Sequence, residues 1–191
     1  MGLIHPAARR TLSSLKATAR GRLRDFQVAA VRNRLHVAPP APGEPARVAI
    51  IPPAIPGSLG DAAMISAAAG YWQAQGAAYV DLLFGGDWPL DAAVRDRVAS
   101  SDFFYRGNLA EHRTLIARLG QYSHLFFIGA DVIDGAYAPA SVMRRLSLLA
   151  DFVRAGGQAR VLGASYNAHP EPRTRAAAGI SACAIVRSPS S

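Results

Sequence analysis

The feature that most constrains this sequence is an apolar run, Ile50–Pro53, that breaks into a glycine-bearing turn and then enters an alanine-rich stretch. Residues 50–61 are typical of the first strand, connecting loop and first helix of an α/β domain. Gly57 and Gly60 would let backbone N–H groups approach a ligand closely, and the N-terminus of the following helix favours an anion. This loop is therefore the first candidate for a binding site, with a plain structural turn as the alternative.

Beyond residue 46 the chain alternates strand-like apolar runs with helix-like segments. Strict alternation with short connections predicts parallel strands and right-handed crossovers, hence a Rossmann-like, doubly wound, mostly parallel α/β sheet. The predicted strands are Arg47–Ile51, Ala78–Phe84, Asp102–Tyr105, Leu125–Ile128, Ala159–Leu162 and Ala184–Val186. The predicted helices are Asp61–Gln75, Leu90–Ser100, Leu109–Leu119, Ser141–Arg154 and Thr174–Ala178.

Helix boundaries are indicated by local capping signals. Asn108 with Glu111 three residues later is a capping-box pattern, and Ser141 is suited to cap the next long helix. The pair Gly156-Gly157 is typical of a helix end.

Ligands of doubly wound sheets bind at the carboxyl ends of the strands, near the point where the strand order reverses. The substrate-binding candidates therefore follow strand ends, and they are Gly57, Ser58, Gly60, Asp61, Gly129, Asp131, Asp134 and Arg187. If the first and fourth strands are neighbours, the loop 57–61 faces residues 129–135 directly.

Each charged candidate has two interpretations. Asp61 either caps the following helix or accepts a hydrogen bond from a sugar hydroxyl. Asp131 and Asp134 either form a turn or act as an acid–base pair, and a Mg²⁺ site is disfavoured because no further acidic ligands lie near them. Arg187 either grips a carboxylate or phosphate or is simply solvated. No metal is expected.

The net charge of +8 is concentrated in one segment. Residues 1–38 contain eight basic residues and a single acidic one, Asp25, so that the remaining chain carries only +1. Apolar residues recur at helical spacing through the same segment, at Leu12, Leu15, Ala19, Leu23, Phe26, Ala30 and Val31. The pattern predicts a basic amphipathic helix, which either lies on an anionic membrane surface or packs on the α/β body. Nucleic-acid binding is not expected, because no recognisable binding fold accompanies the charge.

The expected organisation is a helical arm over residues 1–38, a proline-rich linker over 39–46 and a Rossmann-like domain over 47–191. A single cysteine, Cys183, excludes an internal disulfide and is typical of a reducing compartment. No apolar run approaches the roughly 20 residues that span a bilayer. The predicted location is cytoplasmic, with peripheral association at the inner membrane face as a further possibility.

Several enzyme classes are disfavoured by missing motifs. The turn is not G-x-G-x-x-G, which argues against a dinucleotide-dependent dehydrogenase, and no Walker A lysine occurs. None of the histidines has a serine or cysteine partner at recognisable spacing, so a hydrolytic triad is not indicated.

The chain resembles the polysaccharide pyruvyl transferase family over about residues 47–191. The likeness lies in four motifs, whose order and spacing are similar to the family's, at Pro56–Ile65, Leu125–Gly135, Val161–Asn167 and Ala184–Ser190. The resemblance implies a GT-B-like enzyme of exopolysaccharide or cell-envelope synthesis that transfers pyruvate from phosphoenolpyruvate onto a sugar hydroxyl. It implies phosphoenolpyruvate as donor substrate, no other cofactor, and a saccharide or lipid-linked saccharide as acceptor.

The sequence departs from the family pattern in two places. Ser188 follows Arg187 where the family has an Arg-Asp pair, and no counterpart of the family's second half, with its Arg-Leu-His-type motif, is present. The resemblance therefore implies a truncated, N-terminal half that works with a partner chain or as a homo-oligomer, its catalytic acid unidentified. The alternative hypothesis is a non-catalytic, membrane-associated or interaction module of an exopolysaccharide assembly system.

Overall fold

The structure is a computed structural model that describes residues 27, 29–30, 32–53, 56–84, 88, 94–130, 133 and 138–164. The chain divides into two compact units, Met1–Arg34 and Leu35–Ser191. In the first unit, the described residues between 27 and 32 are helical, and the Asn33 N–H donates to the Ala29 carbonyl at 3.0 Å. Residues 33–35, at the end of the predicted basic helix, are not helical, and residues 1–26, 28 and 31 lie outside the described residues. No helix in the described ranges is long and apolar enough to cross a bilayer.

The second unit contains a five-stranded, all-parallel sheet with helices between the strands. The elements in chain order are β1 (Arg47–Ile51), α1 (Leu59–Ala74), β2 (Tyr79–Leu82), β3 (Asp96–Arg97), α2 (Ser101–Arg106), α3 (Leu109–Leu119), β4 (His124–Ala130), α4 (Pro139–Arg154) and β5 (Gln158–Ala164). The strand order is β3-β2-β1-β4-β5. This arrangement confirms the predicted Rossmann-like α/β fold.

The strand order reverses between β1 and β4. β1 pairs with β2 on one side and with β4 on the other, with Ile50 opposite both Leu82 and Phe126. The expectation that the first and fourth strands are neighbours is therefore confirmed. The loops that leave β1 and β4 start side by side at one edge of the sheet, which we call the carboxyl edge.

The two faces of β4 are covered differently. Phe127 lies toward α4, where its ring is within 5.8 Å of the Arg145 guanidinium carbon. Phe126, the preceding residue, lies toward α1, with its ring 5.1 Å from that of Trp72. Right-handed crossovers place α1 and α4 on opposite faces of the sheet, because β1-α1-β2 and β4-α4-β5 run in opposite directions along it. The centre of the core is β1, whose Val48, Ala49, Ile50 and Ile51 are fully buried.

The prediction for the third strand was wrong. The segment 102–105, predicted as a strand, belongs to helix α2, and the strand β3 lies inside the predicted helix 90–100. A short apolar run such as Phe103-Phe104 fits either element, because four residues cannot distinguish a period of 2 from one of 3.6. Here one turn of helix buries both rings, and Gly107 ends that helix in the left-handed conformation with φ 68°.

The capping predictions had mixed outcomes. Asn108 caps α3 as predicted, since its Oδ1 accepts hydrogen bonds from the Ala110 and Glu111 N–H groups at 2.9 and 3.2 Å. Ser141 is not a cap, because α4 begins at Pro139 and the serine lies within its first turn. Gly156, with φ 104°, follows the end of α4 as expected.

The chain between the arm and the sheet is partly in the core. Leu35 and Val37 are buried, and the Val37 N–H donates to the Ala155 carbonyl at 3.1 Å. The proline-rich residues 39–45 that follow are mostly exposed. The compact sheet unit therefore begins at residue 35.

Candidate functional site

The loop after β1 is shaped by glycine and closed by a serine cap. Gly57 has φ 140°, although a Cβ there would meet no atom within 4 Å, so the glycine is required by the backbone conformation and not by crowding. Ser58 is the N-cap of α1, and its Oγ accepts the Asp61 N–H at 3.2 Å. The loop therefore ends in an ordered helix start.

Asp61 lies in the first turn of α1 and is not the N-cap, because Ser58 occupies that position. Its carboxylate is placed where it complements the helix dipole itself. A second anion at the same helix start would be repelled by this charge, whereas a hydroxyl could donate a hydrogen bond to it. The end of the loop at residues 58–61 is thus better suited to an alcohol than to a phosphate.

Of the remaining predicted site residues, two lie among the described residues and three do not. Gly129 is buried near the end of β4, the strand that adjoins β1. Gly60 is exposed in the first turn of α1, and a Cβ there would lie 3.7 Å from the Ser58 Oγ. Asp131, Asp134 and Arg187 lie outside the described residues. The fold thus brings together the strand ends that carry Gly57 and Gly129, and leaves the other three predictions untested.

Arg145 is a buried arginine at the carboxyl edge that the sequence analysis did not select. Its side chain projects from α4, and the residue is only 1% exposed. Nε donates to the carbonyl of Pro52, the residue that directly follows β1, at 3.3 Å. Nη1 donates to the Ser141 hydroxyl one turn earlier in the same helix. Among the described residues, no acceptor lies within hydrogen-bond distance of Nη2.

Aromatic rings surround the Arg145 guanidinium. Its central carbon lies 4.7 Å from the ring centroid of Phe104, 5.4 Å from that of Tyr105 and 5.8 Å from that of Phe127. Phe104 and Phe127 are fully buried, whereas Tyr105 is 38% exposed. Cation–π contacts of this kind partly replace the lost water. The exposed Tyr105 ring indicates that the cation lies close to the surface.

The charge of Arg145 has no counterion in the described part of the chain. None of the ion pairs formed there includes this residue. Burial lowers the pKa of the guanidinium, and an interaction with Tyr105 acts in the opposite direction. Desolvation of a cation without a carboxylate costs up to several kcal/mol, of which the hydrogen bonds and ring contacts of Arg145 offset a part. A carboxylate or phosphate that reached Nη2 would remove this cost and satisfy its N–H groups.

The neighbouring Arg144 fixes the wall of the site. Its Nη1 donates to the carbonyls of Phe104 and Tyr105 at 2.8 and 3.1 Å, which are the free carbonyls near the end of α2. Two consecutive arginines of α4 therefore contact the short helix α2. Arg144 binds the backbone carbonyls of α2, and Arg145 packs against its aromatic rings.

A sequence signal for Arg145 existed. Buried apolar residues of α4 recur at Val142, Leu146, Leu149 and Phe152, and position 145 falls on the same stripe. An arginine on the core-facing stripe of a helix is unusual, because charged residues are almost never fully buried without a partner.

The described residues do not include a candidate metal cluster. Within these residues, no group of three or more His, Cys, Asp or Glu lies in an arrangement that could hold a metal ion. Comparison of the chain with protein-family models, curated protein sequences and solved structures gives no match.

Proposed function

We propose that this chain is a polysaccharide pyruvyl transferase-type domain that binds phosphoenolpyruvate at the carboxyl edge of its sheet. One observation carries the proposal: Arg145 is a buried guanidinium without a counterion among the described residues, next to the strand end where the sheet order reverses. Phosphoenolpyruvate has two anionic groups, and Nη2 of Arg145, which has no acceptor among the described residues, can donate charge-assisted hydrogen bonds to either of them. The four sequence motifs supply the choice of donor and reaction.

The reaction assigns different tasks to the two sides of the edge. Protonation of the methylene carbon of phosphoenolpyruvate makes the adjacent carbon electrophilic, and a sugar hydroxyl adds there as it loses its proton. A second hydroxyl of the same sugar then displaces inorganic phosphate, which leaves a ketal. In this proposal Arg145 holds the donor, while Ser58 and Asp61 face the hydroxyl-bearing acceptor.

The buried position of Arg145 sets a condition on binding. Because the guanidinium is 1% exposed, the donor reaches Nη2 only if the Tyr105 ring or the Pro52 segment moves aside. We expect this opening to slow association without preventing it.

Calorimetric titration tests the donor site directly. We expect phosphoenolpyruvate to bind the chain, and Arg145→Met to weaken this binding at least tenfold because the guanidinium is removed. Arg113→Gln, an exposed arginine of α3, is the control and should leave the affinity unchanged. Absence of binding by the unmodified chain, or equal affinity in Arg145→Met, would reject the donor assignment.

The transfer step requires an activity assay with the complete gene product. Labelled phosphoenolpyruvate and a lipid-linked saccharide should give a labelled, acid-labile ketal, and the product should be lost in Arg145→Met. Failure of the unmodified protein to label any saccharide acceptor would reject the transferase reading even if the donor binds.

We further propose that the basic arm associates peripherally with an anionic membrane. All eight basic residues of the segment 1–38 lie before residue 35, where the sheet unit begins. Each one near the surface contributes roughly 1 kcal/mol of attraction. Deletion of residues 1–34, which spares the buried Leu35 and Val37, should abolish flotation with vesicles rich in phosphatidylserine. Equal flotation of both forms would exclude this role.

A further inference from the structure

One face of the sheet carries a groove that the carboxyl edge does not use. The groove has a volume of about 460 Å³ and lies between α1 and the strands β4 and β5. Its walls are formed by Ala68, Tyr71, Trp72, His124, Phe126, Gln158, Arg160 and Leu162. This volume lies within the range of small-ligand sites, about 300–1,000 Å³.

Aromatic rings form the wall of the groove on the side of α1. The Trp72 ring lies 5.1 Å from both His124 and Phe126, and the last two rings are nearly parallel at 6.2 Å. Tyr71 meets Trp72 edge-on at 5.6 Å and is 59% exposed. A large exposed tyrosine next to a partly exposed tryptophan presents apolar, flat surface to the groove together with a hydroxyl group.

The β5 side of the groove is polar. Along β5, the exposed Gln158 and Arg160 alternate with the more buried Ala159 and Val161. Fully covered parallel strands are apolar at almost every position, whereas alternation is typical of a face that meets water. Covering this face with an ordinary apolar core would bury the Arg160 charge. The groove is therefore suited to a polar occupant.

The electrostatic field in the groove is positive. In the described part of the chain no carboxylate pairs with Arg160. Arg160 and Arg47 both act on His124, and both disfavour its protonated form. Arg47 is paired with Glu44, so of these two arginines Arg160 is the one that has no ion pair within the described ranges. An anionic group fits this position by charge complementarity.

We propose that this groove binds an acidic saccharide, with its carboxylate on Arg160 and the apolar face of a sugar ring against Trp72. The choice of a saccharide rests on the proposed function, in which the acceptor is a sugar chain, and on the combination of flat rings with amide and guanidinium donors. An α-helix is about 10–12 Å across with its side chains, so a groove of this volume favours sugar units over a docked helical peptide.

Tryptophan fluorescence provides the test, because Trp72 lies in the groove and the second tryptophan, Trp88, is buried. The probe is a glucuronate-containing tetrasaccharide, compared with the same tetrasaccharide after its carboxylates have been reduced to alcohols. We expect the acidic form to bind and the reduced form to bind at least tenfold more weakly. Arg160→Gln should weaken binding of the acidic form about tenfold, and Arg113→Gln should not.

The same experiment separates this proposal from the donor site. Arg160→Gln should retain phosphoenolpyruvate binding, and Arg145→Met should retain tetrasaccharide binding. If the unmodified chain binds the tetrasaccharide but not phosphoenolpyruvate, the proposed function is refuted and the groove assignment is retained. Absence of tetrasaccharide binding, or equal binding of the acidic and reduced forms, would overturn the groove assignment. A hexaglutamate peptide that binds as tightly as the saccharide would assign the groove to an acidic protein partner instead.

Discussion

Arg145 and Arg160 are chemically identical side chains in opposite surroundings. Neither has an acidic partner among the described residues, but Arg145 is buried under rings at the carboxyl edge and Arg160 is exposed on the sheet face. For the buried cation, the missing carboxylate makes the free energy of the folded protein less favourable, and an anionic ligand can remove this cost. For the exposed cation it costs little, because water solvates the charge. An arginine without a partner is thus informative about function mainly when it is buried.

A third arginine, Arg95, differs from both because its charge is paired with a carboxylate. Arg95 Nε donates to Asp81 Oδ1 at 2.8 Å, and its Nη2 donates to the other carboxylate oxygen. Tyr122 donates its hydroxyl hydrogen to the same Asp81 at 2.8 Å, and burial raises the pKa of that phenol. Arg95 also lies over the Tyr79 ring, 3.6 Å from its centroid. Here the carboxylate is fully buried, and both Arg95 and Tyr122 donate hydrogen bonds to it.

The largest effect should come from removing the carboxylate of this paired arginine. Asp81→Asn keeps the size of the side chain but loses the negative charge that two donors share. We expect the free energy of unfolding to fall by about 2–4 kcal/mol. Urea denaturation measures the change. Asp102→Asn is the control, because its exposed pair with Arg106 should contribute less than about 0.5 kcal/mol. A smaller loss in Asp81→Asn than in the control would show that the network is not structural.

Replacing Arg145, which is buried and has no ion pair among the described residues, should change stability in the opposite direction. Arg145→Met removes a desolvated charge at nearly constant length, and we expect the ligand-free protein to gain about 1–3 kcal/mol. The adjacent Arg144→Met should lose about 1 kcal/mol, because it strips hydrogen bonds from the end of α2. Thermal unfolding of both variants provides the comparison. A destabilised Arg145→Met would mean that the ring contacts and the Pro52 hydrogen bond already compensate the charge.

The sequence predicted best the regions where several local signals agree. The bounds of β1 and α3 match the prediction residue for residue, because an apolar run of β-branched residues and a capped helical period each have a single interpretation. The third strand failed because Phe103 and Phe104 suit either element, and burial by tertiary contacts decided between them. Only the fold shows that residue 145 meets the end of β1, since the two are 93 positions apart.

The pairing of the two strands that flank the candidate site was predicted correctly, whereas the site residues themselves stay predictions. Gly57 lies in the loop after β1, and Gly129 lies near the end of β4, the strand that adjoins β1. The residue with the most unusual environment, Arg145, lies on a helix and not in a strand-end loop, so a search confined to those loops could not find it. A periodicity count that flags charges on an apolar stripe would have found it.

A smaller effect is expected from His124, which lines the groove on β4, next to the strand that carries Arg160. Burial lowers the pKa of His124 below its ordinary value, a hydrogen bond with Gln158 raises it, and Arg160 and Arg47 lower it further. The unfolded chain therefore binds the proton at a higher pH than the folded chain. Stability should be constant above the unfolded pKa, about 6.5, and fall as the pH drops from there toward the folded pKa.

The measurement for His124 is a difference between variants. Urea midpoints at pH 7.5 and pH 5.0 should differ less in His124→Gln than in the unmodified protein, since the variant lacks the group that titrates. An unchanged difference would show that groups other than His124 produce the acid sensitivity.

The smallest change in stability should follow from Arg160→Gln. An exposed side chain with no ion pair in the described structure contributes little, so the free energy of unfolding should stay within about 0.5 kcal/mol. The same substitution should change the pKa of His124 in the groove, because removing the neighbouring positive charge raises the pKa of that imidazole. Titration of the His124 ring by NMR measures this shift. An upward pKa shift without a change in stability would show that Arg160 acts on its surroundings through charge alone, whereas Arg145 is also a part of the core.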